Sequence, residues 1–405
     1  MPEHIKFQYS SDDEEKFSVG METLSWDPPV SCSYDYHVKY NRDSLTAMNK
    51  DITSKLDEFG FVVVTDVLTP NQIAEGKRTF YKWYESNDQV QALHDKVSTR
   101  GIFKHFHIGG TEFLWQTRTH LSVKRVYRAV HGVKIMTPMV TSLDGACFVP
   151  STWTKKKDRW PKKSWVHTDL KPKGDVECVQ GYVSYTNNPE DGRTTIFYRG
   201  SHKIFKDYYN EFTADRDKNK QWTKINIDYL KRPAIAKLRT TVNVPAGSMV
   251  LWNSRTFHST QWGERPHERL VAYVCMFPKS MDTPKMAKKR KLYAITGRTT
   301  SHWPCPIGVN EVHPQHYGNL SLRIQYDELP SVAKRVAKKA YFYRLWCALA
   351  GRTPPSYKGS DSPIIRRGKT GINTDDVFIL GLRLGRHCFF HKKSIGVAKK
   401  ARTLL

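Results

Sequence analysis

The chain has seven cysteines (Cys32, Cys147, Cys178, Cys275, Cys305, Cys347 and Cys388) but no CxxC pair. That excludes a zinc clamp or dithiol redox motif built on such a pair, and the odd, scattered set fits a reducing compartment. Also missing is any unbroken apolar run of the roughly 18 residues a membrane helix needs. The N-terminal MPEHIKFQYSSDDEEK has no basic stretch leading into an apolar one, so neither a secretory signal nor a membrane contact is expected. The protein is expected inside the cell, in cytoplasm or nucleus. Acidic residues are the deficient charge: 39 Asp/Glu stand against 65 Lys/Arg, a net charge of +26.

That imbalance is uneven along the chain. From residue 281 onward there are 24 Lys/Arg and only 7 Asp/Glu. Such a segment can contact nucleic acid or another polyanion through phosphates, or can be a solvated tail and helix face. Lys288–Lys291 (KKRK) is short for a nuclear signal. At 405 residues, with 39% hydrophobic and 12% aromatic residues, the chain is long enough to bury one large core with appendages.

Residues 1–45 read as irregular, with an acidic patch and a turn-prone DPPVS stretch. Residues 46–280 read as the folded domain. It opens with the β-branched run FGFVVVTDVL and then TPNQ, which places Thr69 as N-cap, Pro70 at N1 and Gln72 at N3 of a helix. Ile73, Phe80, Trp83 and Tyr84 share one face of that helix, an aromatic stripe for core packing. Helical patterning returns from Glu112 to Val130. From Ser142 to Phe277 short extended runs alternate with Gly, Pro, Asn and Asp, the signature of a strand-rich domain. Residues 281–350 read as a basic, partly helical extension, with Ser331–Leu349 as an amphipathic helix, and 351–405 as a basic C-terminal segment. In that last segment Phe378, Leu380, Leu382 and Leu384 alternate like a half-buried strand.

The chemistry lies in the strand-rich part. His167-Thr168-Asp169 sets two metal-binding side chains one residue apart, and on an extended segment both project to the same face. With 16 histidines in the chain, an accidental HxD is expected about once, so the pair needs company. His258, in GSMVLWNSRTFHST, is the candidate third ligand. Two imidazoles and one carboxylate make a facial triad, which suits non-haem Fe(II) and leaves positions for a bidentate substrate and dioxygen. Eleven residues on, Arg269 opens the strand-like RLVAYVCMF. A buried arginine there needs an anion, and its fork matches the distal carboxylate of a 2-oxo diacid.

Residues from about 55 to 280 resemble the phytanoyl-CoA dioxygenase family of 2-oxoglutarate oxygenases. DEFGFVVVTDVLTPNQI resembles the family's opening strand and helix; HTD resembles its first two iron ligands; VQGYVSYTNNPEDGRTTIFYRGSHK resembles the hairpin that follows; GSMVLWNSRTFHST resembles the strand of the distal histidine. The resemblance implies a mainly β protein with flanking helices and a double-stranded β-helix (jelly-roll, cupin-like) core. It implies Fe(II) on His167, Asp169 and His258, and 2-oxoglutarate as cosubstrate held by Arg269 and Thr260. The implied reaction hydroxylates an unidentified substrate and releases succinate and CO2. Because the carboxylate ligand Asp169 is present, halogenation is disfavoured. Gln180 and Tyr182 share one face of the strand after HTD, where they either line the cosubstrate pocket or pack. Gly297–Pro304 (GRTTSHWP) is similar to a subset of the family that includes proteins of large DNA viruses. His202, in the Gly-Ser-His turn, is left outside the metal site. The competing reading is a catalytically inactive β-helix protein that binds nucleic acid, or serves a structural role, through residues 281–405.

Overall fold

The computed structural model describes residues 34–305 apart from 86–89, 92–93, 95–99, 105–107, 154–164, 171–176, 214–221, 265–266 and 296–297. The expected helix at Ser331–Leu349 and the expected strand around Phe378–Leu384 lie outside the described residues.

Two sheets carry the unit that begins at Tyr36. The larger has seven strands in the order β1 (His37–Lys39), β2 (Phe61–Thr65), β11 (Met249–Asn253), β7 (Val179–Ser184), β13 (Arg269–Val274), β5 (Ala146–Val149) and β3 (Ile102–Phe103). The smaller has five: β10 (Arg239–Thr241), β8 (Thr195–Tyr198), β12 (His258–Thr260), β6 (His167–Thr168) and β9 (Thr223–Lys224). A two-stranded ladder joins β14 (Met276–Pro278) to β4 (Met139–Thr141). Pairing is antiparallel throughout the two large sheets except for β1 on β2. From β6 to β8 and again from β11 to β13 the chain passes back and forth between the sheets. This is the double-stranded β-helix, with a ring stack of Phe61 on Phe197 at 4.4 Å bridging the two layers.

The period of two explains why several strands are apolar throughout. Val62 and Val64 of β2, Met249 and Leu251 of β11, and Leu270, Ala272 and Val274 of β13 belong to the core between the larger sheet and its helices. Their alternates, among them Trp252, Tyr182 and Arg269, face the space between the sheets. Outside the smaller sheet a second core gathers Ile196 and Tyr198 with Phe205, Tyr208 and Tyr209.

Helix α1 (Leu45–Phe59) is capped by Ser44, whose side chain accepts from the Ala47 amide. It ends at Gly60 with φ +81°. A Cβ there would sit 2.5 Å from Thr256 Oγ1 and 2.6 Å from His202 Nδ1, so glycine is required by both conformation and space. The Gly60 carbonyl then accepts from Asn253 N and Thr256 Oγ1, which ties the turn to the loop that leads into β12. Helix α2 (Pro70–Glu85) starts with the expected reciprocal cap: Thr69 N donates to Gln72 Oε1 at 2.9 Å and Gln72 N to Thr69 Oγ1 at 3.4 Å. Phe80 is buried, with Ile73, Trp83 and Tyr84 packed against the same core. The pattern from Glu112 to Val130 is two helices, α3 (Glu112–Thr119) and α4 (Leu121–Val130), parted at His120.

Within the stretch 1–45, expected to be irregular, His37–Lys39 is instead a strand, because Val38 buries its side chain in the helix-side core while the backbone pairs with Val63–Thr65. A run of three residues is too short to show a period. Beyond β14 the extension contributes helix α5 (Pro284–Ile295), where Arg290 of the KKRK cluster is spent on Asp282 and on the Pro304 carbonyl.

Candidate metal centre

His167 and His258 are Cα partners across the antiparallel β6–β12 pair. Register thus removes the 91 positions that separate them in sequence. Asp169 follows β6 and is held by its own amide, which donates to the Ser254 carbonyl at 3.1 Å. The three offer ligand atoms that all lie within 4.8 Å of one another, and their exposures are 6, 7 and 6%. The two imidazole centroids are 4.2 Å apart.

Hydrogen bonds on the far side of each ring decide which nitrogen faces the centre. His167 Nδ1 lies 2.9 Å from the Trp165 carbonyl and His258 Nδ1 2.9 Å from the Thr256 carbonyl. A carbonyl only accepts, so Nδ1 carries the proton in both and each Nε2 lone pair points toward Asp169. His258 Nε2 is 3.2 Å from Asp169 Oδ2 and His167 Nε2 is 3.7 Å from Oδ1. Burial and the neighbouring His258 push the His167 pKa down to about 3, which keeps the ring neutral. Burial would raise the Asp169 pKa, but the surrounding histidines, His302 foremost, outweigh it and hold the carboxyl well below its usual range. Two imidazoles that turn Nε2 inward and one carboxylate converge, a donor set that fits a divalent transition metal.

Gln180 and Tyr182 share a face of β7, as expected, but serve different neighbours. Gln180 Nε2 donates to Asp169 Oδ2 at 2.6 Å, so its amide orients the ligand carboxylate. Tyr182 lies under the Arg269 guanidinium at 5.4 Å and shares a 3.0 Å hydrogen bond with Thr195 Oγ1. Replacing Gln180 with Leu leaves the carboxylate free to rotate, and Fe(II) affinity is expected to fall about 10–100-fold. An anaerobic titration of the folded variant checks this.

Arg269 is 2% exposed. Its Nη1 donates to Cys147 Sγ at 2.9 Å and its Nη2 to Thr195 Oγ1 at 3.3 Å, while Nε is buried without a partner. No carboxylate answers it among the described residues. Thr260 Oγ1 is likewise buried and unpartnered. A desolvated cation with no counterion among the described residues is costly unless a ligand supplies the anion.

Four residues at the centre carried no role in the sequence reading. Trp165 stacks on His167 at 4.8 Å and 25°, and Trp222, 43% exposed, approaches the same ring at 5.3 Å. Arg100 lies over Trp165 at 4.3 Å. His302 belongs to GRTTSHWP, a motif noticed for its resemblance alone. Thr299 Oγ1 accepts from Gly109 N, and Thr300 exchanges hydrogen bonds with Leu143. Trp303 and Cys305 pack in the second core with Val166 and Leu170, which flank the ligand strand. His302 is thereby strung beside Asp169, with a buried, unpartnered Nε2. His202 sits elsewhere, with Nε2 3.0 Å from the Asp57 carbonyl.

The family model for phytanoyl-CoA dioxygenase (PhyH) matches residues 56–262. A curated relative, Ava biosynthesis cluster protein O of Aspergillus versicolor, is 26% identical over 258 residues, 58% of this chain and 80% of that protein. Among solved structures, the epimerase SnoN in complex with Fe3+, alpha ketoglutarate and nogalamycin RO is similar at 15% identity and a TM-score of 0.40, covering 59% of this chain and 91% of that one. EctD from S. alaskensis with 2-oxoglutarate and 5-hydroxyectoine is similar at 12% identity and a TM-score of 0.37, covering 63% and 82%.

Proposed function

We propose a function that starts from one premise, that this chain belongs to the phytanoyl-CoA dioxygenase family. It acts as an Fe(II)- and 2-oxoglutarate-dependent dioxygenase that hydroxylates a prime substrate. The observation that carries this reading is the joint presence of a buried His-Asp-His set with both Nε2 atoms turned inward and a buried arginine that has no counterion among the described residues. Bound there, the metal with 2-oxoglutarate would activate dioxygen for oxidation of a substrate C–H bond, converting the cosubstrate to succinate and CO2.

The chain's own residues bind, orient and shield. His167, Asp169 and His258 would hold the metal, with the Trp165 and Thr256 carbonyls fixing the imidazole tautomers and Gln180 fixing the carboxylate. Arg269 and Thr260 would take the distal carboxylate of 2-oxoglutarate, against the Tyr182 ring. Asp169 would supply the carboxylate ligand whose position a halogenase leaves for halide, which favours hydroxylation. Succinate formed from 2-oxoglutarate with Fe(II) under air, and lost in Asp169→Ala, tests the oxygenase reading. Incorporation of labelled dioxygen into a product tests hydroxylation.

The alternative, an idle barrel that serves as a binding or structural protein, leaves the complete ligand set and the uncompensated Arg269 without a purpose. The basic segment 281–405 fits beside the oxygenase reading, as a contact for nucleic acid or another polyanion. Its affinity for duplex DNA is then expected to fall steeply between about 50 and 200 mM salt, since each neutralised phosphate releases counterions. A flat salt dependence in a filter-binding titration removes that contact from the proposal. No helix among the described residues is long and apolar enough to cross a membrane.

A further inference from the structure

Three other buried arginines give their terminal nitrogens to partners, although the Nε of each is buried without one. Arg193 gives its donors to the carbonyls of Pro150, His267 and Trp153. Arg118 gives its donors to Gly109 and Asp144 carbonyls. Arg269 has Cys147, Thr195 and the carboxylate end of the cosubstrate site. Arg100 differs in its terminal nitrogens: its Nε is buried without a partner, as theirs are, but its guanidinium donates no hydrogen bond and no acid accompanies it among the described residues. Burial, unopposed by any carboxylate, lowers its pKa to about 10.

Its position is as specific as its lack of a partner. The guanidinium stacks on Trp165 at 4.3 Å, and the other stacking partner of that indole is the ligand His167 at 4.8 Å. The indole is pinned in place by a 3.5 Å hydrogen bond from its Nε1 to the Thr260 carbonyl. Trp222, the second indole against His167, is 43% exposed. The ligand ring is thus bordered by two flat apolar surfaces, and a cation without an anion rides on one of them. Planar apolar surfaces select a flat apolar body, and a fork of free donors selects a carboxylate or phosphate. A net charge of +26 favours the approach of such an acid.

We propose that the prime substrate is a small ring-bearing acid: Arg100 takes its carboxylate or phosphate, and Trp165 and Trp222 border its ring beside His167. This rests on the oxygenase reading for the identity of the site, since it names what that reading leaves open. The anion held by Arg100 is distinct from 2-oxoglutarate, whose distal carboxylate has Arg269.

The test uses the full chain loaded with Fe(II) and 2-oxoglutarate without oxygen, titrated calorimetrically with phenylacetate, phenyl phosphate and the neutral phenylacetamide. At least one acid is expected to bind at least about tenfold more tightly than the amide, the discrimination a lost charged partner produces. Which acid wins assigns the anion. Arg100→Gln is expected to abolish the preference, Arg100→Lys to keep part of it, and both to leave 2-oxoglutarate affinity within about twofold, since neither touches Arg269. Acids and amide binding alike, no acid binding at all, or an undiminished preference in Arg100→Gln each overturn the proposal. So does a large loss of 2-oxoglutarate affinity in that variant, which would make Arg100 part of the cosubstrate site. Failure of the wild-type chain to take up Fe(II) or 2-oxoglutarate instead overturns the oxygenase reading, and the acid-over-amide comparison can then be made on the unloaded protein.

Discussion

Asp169→Ala is expected to lose Fe(II) affinity by well over about 100-fold, beyond the range for losing a partner that merely orients a ligand. Asp169 is the one carboxylate of the set, and the imidazoles of His167 and His258 are buried with it. Without it, a divalent ion would have to shed water for two uncharged donors. His167→Ala is expected to do the same by removing one of the two imidazoles that the β6–β12 pairing brings together. The two variants control for each other, because Asp169→Ala also strands the Gln180 amide, whereas His167→Ala leaves that hydrogen bond intact. Anaerobic titration of Fe(II), with a thermal melt to show that each variant is folded, measures the effect. Undiminished iron affinity in both would remove the metal centre from these residues.

Arg269→Ala is expected to weaken 2-oxoglutarate by at least tens of fold while iron affinity holds. Truncating one partner of a buried, hydrogen-bonded charge pair costs about 2–5 kcal/mol, and about 1.4 kcal/mol is tenfold in affinity. The pair would be well desolvated, since Arg269 is 2% exposed and lacks a counterion among the described residues. Iron should be spared because Arg269 contacts Cys147, Thr195 and Tyr182, none of them a ligand. Arg269→Lys separates charge from geometry. It retains the cation but loses the fork, so affinity should fall between wild type and alanine. Binding within twofold of wild type in the alanine variant would assign the cosubstrate anchor to another residue.

Much of this site is legible in the sequence alone. HTD announces two side chains on one face because strand geometry is local, and the capping pair Thr69–Gln72 is legible for the same reason: its partners are three residues apart. The family resemblance then supplied the order of the parts. Gln180 shows where local reading stops. A period of two put it on one face with Tyr182, but whether that face met the cosubstrate or the ligand carboxylate depended on how β7 sits against the loop after β6. Arg100, Trp222 and His302 carried no periodicity and no spacing rule. Arg100, Trp222 and His302 reach the centre across large gaps in sequence, whereas Trp165 stands two residues before His167 and continues the same alternation, a signal that could have found it.

The sequence by itself determined the strand-rich core, the helix starts, the candidate ligands and the cationic character, because propensity, pattern and charge are properties of short stretches or of composition. Tertiary structure alone decided the rest. The β6–β12 register set His258 against His167, the turn at Gly60 tied the loop before β12 to α1, and the Thr299–Cys305 segment brought His302 beside Asp169. The physical reason is that metal binding, desolvation and an uncompensated charge are relations between side chains in space, and those relations exist only once the two sheets have closed around them.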